Sequence, residues 1–172
     1  LKIVNGLLFG IDKINEFFAK MGAWVQIALI LVLVIEVTLR YVFGLPTLWV
    51  YDISWMLSSI LIMWALGYTW RMKGHVSIDI FYEKFPLRVR AFLDVFFAVI
   101  LFFPLMYVII DNMIPHLIYS WTMGERAIWS VWLPVVYPFK TWVFIGVVIL
   151  ALQGVAEFIR DLKVLIVGGE RL

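Results

Sequence analysis

The chain has no cysteine, two histidines and few charges, since 15% of its 172 residues are Asp, Glu, Lys or Arg. Without cysteine there is no disulfide framework, no thiolate nucleophile and no Cys-based metal site. His75 has no second ligand at metal-binding spacing, so the sequence gives no support for a metal centre. The shortage of charge excludes most. With 65% hydrophobic residues and a mean hydropathy of +1.02, the chain has too little polar surface to fold as a water-soluble globule of this length. The net charge is only +2, and the basic residues stand beside apolar runs, so nucleic acid is excluded as a partner. No nucleophile with a base and no phosphate-binding loop is found, which sets an enzyme reading and a cofactor aside.

What is present is apolar sequence in lengths that fit a bilayer. About 20 helical residues cross a hydrocarbon core of about 30 Å. The expected fold is therefore an all-α integral membrane protein, a single membrane domain over residues 1–172. It would have an amphipathic helix at 1–20, transmembrane spans at about 21–43, 48–71, 87–113 and 137–160, and interfacial connecting segments. The first long apolar run begins after about twenty amphipathic residues, with no small-residue cleavage site behind it, so the first spans are expected to act as their own insertion signal.

In residues 3–18, Ile3, Leu7, Ile11, Ile14 and Phe18 form a helical stripe opposite Asn5, Asp12 and Glu16. This predicts a helix in the headgroup region or against a partner helix, among membrane lipids, or a plain solvated lead-in. Gly44 and Pro46 end the first span. Near that end Glu36 and Arg40 are four apart, the spacing at which a carboxylate and a guanidinium meet; the pair is either functional or a satisfied structural contact. Thr47 is the expected N-cap of the second span, and Asp52 falls in its first turns, where the helix dipole favours a carboxylate. Ser54, Ser58, Leu61 and Ala65 line a packing face, and Gly67 admits a close neighbour.

The loop from Arg71 to Arg90 mixes basic and apolar residues and should hug the membrane surface, with Pro86 opening the next helix. Pro104 is expected to kink the third span. From Asn112 to Pro138, an aromatic connection with Tyr119, Trp121, Trp129, Trp132 and Tyr137 reads as re-entrant or interface-bound. Along the fourth span Gly146, Leu150, Gly154 and Glu157 share a face suited to helix packing. Most basic residues lie on the side of the termini and the middle loop, leaving Arg40, Arg126 and Lys140 for the other. By the positive-inside rule both termini are cytoplasmic, and the far loops of a bacterial inner-membrane protein face the periplasm.

Several residues carry a resemblance. Arg40-Tyr41 closes the first span, Trp49 and the acidic Asp52 open the second, and Gly67 stands near its far end. Gly74-His75-Val76 with Asp79 follows, and Pro134 to Tyr137 leads into the fourth span. In this order the chain resembles the small membrane subunit, DctQ type, of tripartite ATP-independent periplasmic (TRAP) transporters. Asp52 stands where that family often has glutamate, and Lys140 where a small or neutral residue is expected. The resemblance implies two partners: a large membrane subunit (DctM type) that moves an organic acid, driven by an ion gradient, usually sodium, and a periplasmic substrate-binding protein (DctP type). This chain would hold the large subunit and help dock the binding protein. Glu36, Arg40, Asp52, Glu125 and Arg126 are the contact candidates, the last four as exposed polar groups on the periplasmic side.

The rival reading is an autonomous four-span antiporter running on one carboxylate, Glu36. Arg40 speaks against a freely titrating group there. The lack of an internal repeat and of glycine-interrupted short spans speaks against a transport path within the chain.

Overall fold

A computed structural model describes residues 2–72 and 85–167. The motif positions Gly74, His75, Val76 and Asp79, with most of the surface-hugging loop, lie outside the described residues. The helices are α1 (Lys2–Tyr41), α2 (Val50–Arg71), α3 (Leu87–Phe97), α4 (Phe103–Thr122) and α5 (Tyr137–Val167). A five-residue π-helical segment, Ala98–Phe102, joins α3 to α4, so that Leu87–Thr122 is one helical rod. Among the described residues no strand occurs, and four helices are long and apolar enough to cross a membrane. This is the all-α, four-span architecture expected from hydropathy.

Helix α2 packs between α1 and α5, and the α3–α4 rod leans on the other side of α5. The rod is the least embedded of the four, with 6% of its most apolar window buried, against 33% for α5. Glycine permits the closest approaches. A Cβ on Gly146 would lie 2.7 Å from the Met63 Cβ, and one on Gly154 would fall 2.1 Å from the Phe102 ring. These two positions of the face read as a packing surface do receive neighbouring helices.

The amphipathic stretch and the first span form one continuous helix of 40 residues. At about 1.5 Å per residue it is about 60 Å long, twice a hydrocarbon core. No proline interrupts Lys20 to Gly22, and a lone glycine costs a helix only about 1 kcal/mol. Gly22 also admits the side chain of Leu61, which would stand 3.3 Å from an added Cβ. The helix stops where Gly44 takes a left-handed φ of 67° and the Leu45 amide reaches the Leu39 carbonyl at 2.9 Å.

Only part of the polar face of the N-terminal half is turned inward, since Asn5 is exposed and the Glu16 side chain is 43% exposed. Asp12 and Asn15 are buried, while Leu7, Ile14 and Phe17 are exposed. Asp12 and Asn15 turn inward because their partners stand there: Arg160 and Gln153 on α5 and Arg71 on α2.

Pro104 has no amide hydrogen to offer one turn back, and the ladder widens just before it: the Phe103 amide bonds to Ala98, five residues earlier. This π-bulge is the local irregularity that accompanies Pro104 in the rod. The rod continues past Pro115 to Thr122, beyond the expected end of the span, so the aromatic connection shrinks to residues 123–136. Neighbouring turns carry a proline in an otherwise strongly apolar helix. Gly124, with φ of 58°, is the actual stop.

Candidate functional site

Polar side chains gather in two belts at opposite ends of the bundle. One belt lies at the loop end, where α1 turns into α2 and residues 123–136 link α4 to α5. The other lies at the end that carries both termini.

At the loop end, the Glu36 carboxylate accepts from Arg40, whose Nε is 2.9 Å away, and from the Thr47 amide at 3.3 Å and hydroxyl. Thr47 thus spends its side chain on α1 and leaves α2 uncapped: Trp49 is the N-cap and makes no side-chain cap bond. The predicted Glu36–Arg40 contact is present, and it closes the α1–α2 turn. Asp52 is 2% exposed and accepts a hydrogen bond from Ser130, 78 residues on. It was expected as an exposed contact group; instead it is turned into the protein, where it pins the 123–136 connection to the start of α2.

That connection has two further ties. The Glu125 carboxylate takes Lys140 Nζ and Ser120 Oγ, each at 2.5 Å. The Lys140 ammonium, and after it the Ser120 hydroxyl, hold the Glu125 carboxyl below the usual carboxylate range. An antiparallel bridge pairs Arg126 with Val135, with the Ala127 amide 2.9 Å from the Pro134 carbonyl. Beneath it Ala127, Val136 and Met56 form a small core against Trp55 and Phe139. The base of the connection is fixed while its tip is bare: Ile128 is 87% and Val131 82% exposed. Of the five contact candidates, Arg40 and Arg126 are exposed, Glu125 is partly covered, and Glu36 and Asp52 are buried. Tyr41 is exposed and Trp49 half-buried.

The terminal belt is the part that sequence reasoning missed. Asn15, fully buried, donates from Nδ2 to Gln153 Oε1 at 2.9 Å; Gln153 donates to Glu157 at 2.8 Å. Arg160 bonds Glu157 and also Asp12, the latter at 2.5 Å, and Arg71 approaches the same Asp12 oxygen at 3.6 Å. Farther out, Lys163 reaches Asn5 at 2.7 Å. The chain Asn15–Gln153–Glu157–Arg160–Asp12 runs from α1 to α5 and back, with Arg71 joining from α2. Its sequence signal was available: Asp12 and Asn15, and Gln153, Glu157 and Arg160, recur at three and four residues, one face of a helix each. Gly67 belongs here too. A Cβ on it would sit 2.0 Å from Asn15 Oδ1, so only glycine leaves room for that buried oxygen.

The terminal belt ties helices to one another, and the loop belt ties connections to helices. Among the described residues no three His, Asp or Glu side chains are grouped to hold a metal ion. The arrangement suits rigid positioning of helices and of one exposed connection.

Comparison with curated proteins and with solved structures gave no match. A family model described as "Tripartite ATP-independent periplasmic transporters, DctQ component" matches residues 29–164. That range begins at Leu29, inside the first span, and takes in the rest of that span, α2, the α3–α4 rod, the 123–136 connection and α5 as far as Val164. The chain therefore belongs to the DctQ family and is a small, multi-pass membrane component of a TRAP transporter.

Proposed function

We propose that this subunit is a scaffold: it holds a DctM-type large transport subunit and helps dock a DctP-type binding protein for uptake of an organic acid, driven by an ion gradient with sodium as the expected coupling ion. The carrying observation is that the buried polar side chains of both belts are engaged within the chain, joining α1 to α5 at the terminal end and fastening connections to helices at the loop end. A transport path needs polar groups that can exchange partners with solute or ion near the midplane. Glu36, the residue of the antiporter reading, is engaged by Arg40 and by two donors of Thr47.

In this reading the protein lies in a bacterial inner membrane with both termini in the cytoplasm and the loop end in the periplasm, the orientation that the lysine and arginine distribution favours. The 123–136 connection, held at its base, where Arg126 is exposed, and apolar at its tip, is the docking surface for the binding protein. Proteoliposomes test the proposal: ion-driven uptake of candidate organic acids is measured with all three components, then with each omitted. Uptake that needs all three, with this chain alone silent, supports a scaffold. Uptake by this chain alone, abolished by Glu36→Gln, overturns it.

A further inference from the structure

Each span carries one stretch without charged side chains, and the ends of that stretch mark where the helix can leave the hydrocarbon. These stretches lie between Lys20 and Glu36 on α1, Asp52 and Arg71 on α2, Lys140 and Glu157 on α5, and Asp94 and Asp111 on the α3–α4 rod. Packing fixes how they stand beside one another. Those of α2 and α5 are level: the Trp55 ring meets that of Phe139 at 4.9 Å, and a Cβ on Gly67 would lie 3.7 Å from that of Gln153.

The outer two are displaced in opposite directions. On α1, Phe18 is already past the charged end at Lys20, yet its ring packs 5.2 Å from Trp64, well inside the stretch of α2. At the other end of α1, Glu36 accepts from the Thr47 amide, before α2 begins. On the rod, Phe102 and Phe103 lie in the middle of the stretch but meet Gly154 and Phe158, where that of α5 ends. Trp121, ten residues past Asp111, donates to the Thr141 hydroxyl at 3.0 Å, where that of α5 begins. The charge-free part of α1 is thus shifted toward the loop end and that of the rod toward the terminal end.

An upright bundle would therefore hold charge against lipid near mid-depth on both flanks. On α1 this is the Glu16–Lys20 pair, with side chains 43% and 74% exposed. On the rod it is Asp111, exposed and without a partner among the described residues. Charge at that depth is costly, and a carboxylate on so short a side chain cannot reach the headgroups. Leaning the bundle moves the two flanks in opposite directions, one toward each face of the membrane. We propose that the four helices cross the bilayer obliquely, with α1 lowered toward the terminal side and the rod raised toward the loop side. A lean of about 35° over two to three interhelical spacings of about 9 Å separates the flanks in depth by about 10–15 Å, and lies within the range of membrane helices.

The lean decides which surfaces meet water. It takes the outer half of α4, with exposed Asn112, His116 and Tyr119, out of the hydrocarbon beside the 123–136 connection. The surface open to a soluble partner at the loop end is then wider than the connection alone. At the opposite end it takes Lys13 and Lys20 to headgroup level, where phosphates are their counter-ions. The lean holds whichever side of the membrane the loop end occupies.

Because the chain has no cysteine, single cysteines at exposed positions carry spin labels without interference. Phe17→Cys, Leu31→Cys, Leu101→Cys and Ile114→Cys are each labelled in the full chain in lipid nanodiscs; the parent side chains are 59%, 57%, 60% and 43% exposed. Depth is read from collisions with oxygen, which concentrates in hydrocarbon, against those with a water-soluble nickel chelate. In the oblique bundle the labels at 31 and 101 lie about 10 Å deeper than those at 17 and 114, at about 1.5 Å of rise per residue. An upright bundle reverses the order, since 17 and 114 are then level with the middle of α2 and α5. Ile14, Ile30, Ile100 and Ile118, also exposed, give a second set of labels where one of the first disturbs the elution profile. The reversed order, or four equal depths, would overturn the proposal.

Discussion

The two polar belts solve the same problem by different means. At the terminal end three helices meet side chain to side chain, and the central groups are shut away: Asn15 and Gln153 are fully buried and the Arg160 side chain is 13% exposed. At the loop end the ties fasten connections to helices, and their basic members remain partly in the open, with the Arg40 side chain 52% exposed and Lys140 31%. The terminal belt fixes how α1, α2 and α5 stand against one another. The loop belt fixes what the protein shows to the far side of the membrane. Damage to the first should therefore cost the fold, and damage to the second should cost recognition.

The sharpest test removes Arg160. Arg160→Met leaves Asp12 and Glu157 without the cation both share, and breaking one partner of a buried ion pair costs about 3–5 kcal/mol. Loss of the monodisperse peak in fluorescence-detected size exclusion, with a large fall in melting temperature, is the expected outcome; near-normal behaviour would mean that the belt is not what locks α1 to α5.

Gly67→Ala comes next. Its new methyl would overlap Asn15 Oδ1, and overpacking of this kind costs about 1–3 kcal/mol. Asn15→Ala frees that space, so the double variant should be more stable than the two single losses predict, a coupling that a thermal-melt cycle measures. Additive losses would show that Gly67 and Asn15 do not meet.

At the loop end the expected effects are smaller and of another kind. Lys140→Met removes one tie on Glu125, a contact partly open to solvent and worth about 1 kcal/mol at most. Its main effect should be on the order of residues 123–136 and on binding-protein-dependent uptake. Acid should act similarly. The Glu125 carboxyl titrates below its unfolded value of about 4.3, so its tie is complete above that pH and is lost as pH falls through the lower folded value. A spin label at Val131→Cys should gain mobility in that acid window, and Glu125→Gln should leave the mobility the same at every pH.

These contrasts also explain which parts of the molecule were legible in its sequence. Hydropathy locates four spans because the bilayer sets a length, and four-residue spacing pairs Glu36 with Arg40 because both lie on one helix. The Asp52–Ser130 bond joins residues 78 apart on different elements, and no local pattern can announce it. The N-terminal half of α1 misleads for a different reason. Its alternation of apolar and polar residues is real, but the pattern leaves open which residues turn inward; distant partners, Gln153 and Arg160 for Asn15 and Asp12, decide that. The run past Pro115 was hidden because proline is a strong stop signal in water and a weak one within a membrane helix.

The weakest expected effect is also the most diagnostic for α1. Glu16 and Lys20 form an i,i+4 pair at 2.7 Å on the outer side of the helix, with side chains 43% and 74% exposed. Exposed pairs of this kind contribute little, so Glu16→Gln should leave the melting temperature and the elution profile of the isolated subunit unchanged. The same substitution tested in the assembled transporter compares the two faces of one helix. If it is silent there as well, the outer face of α1 meets lipid and headgroups while the inner face does the holding. If the assembled transporter loses this subunit on Glu16→Gln while the isolated chain remains sound, a partner subunit covers that face, and the terminal end takes part in recognition as the loop end does.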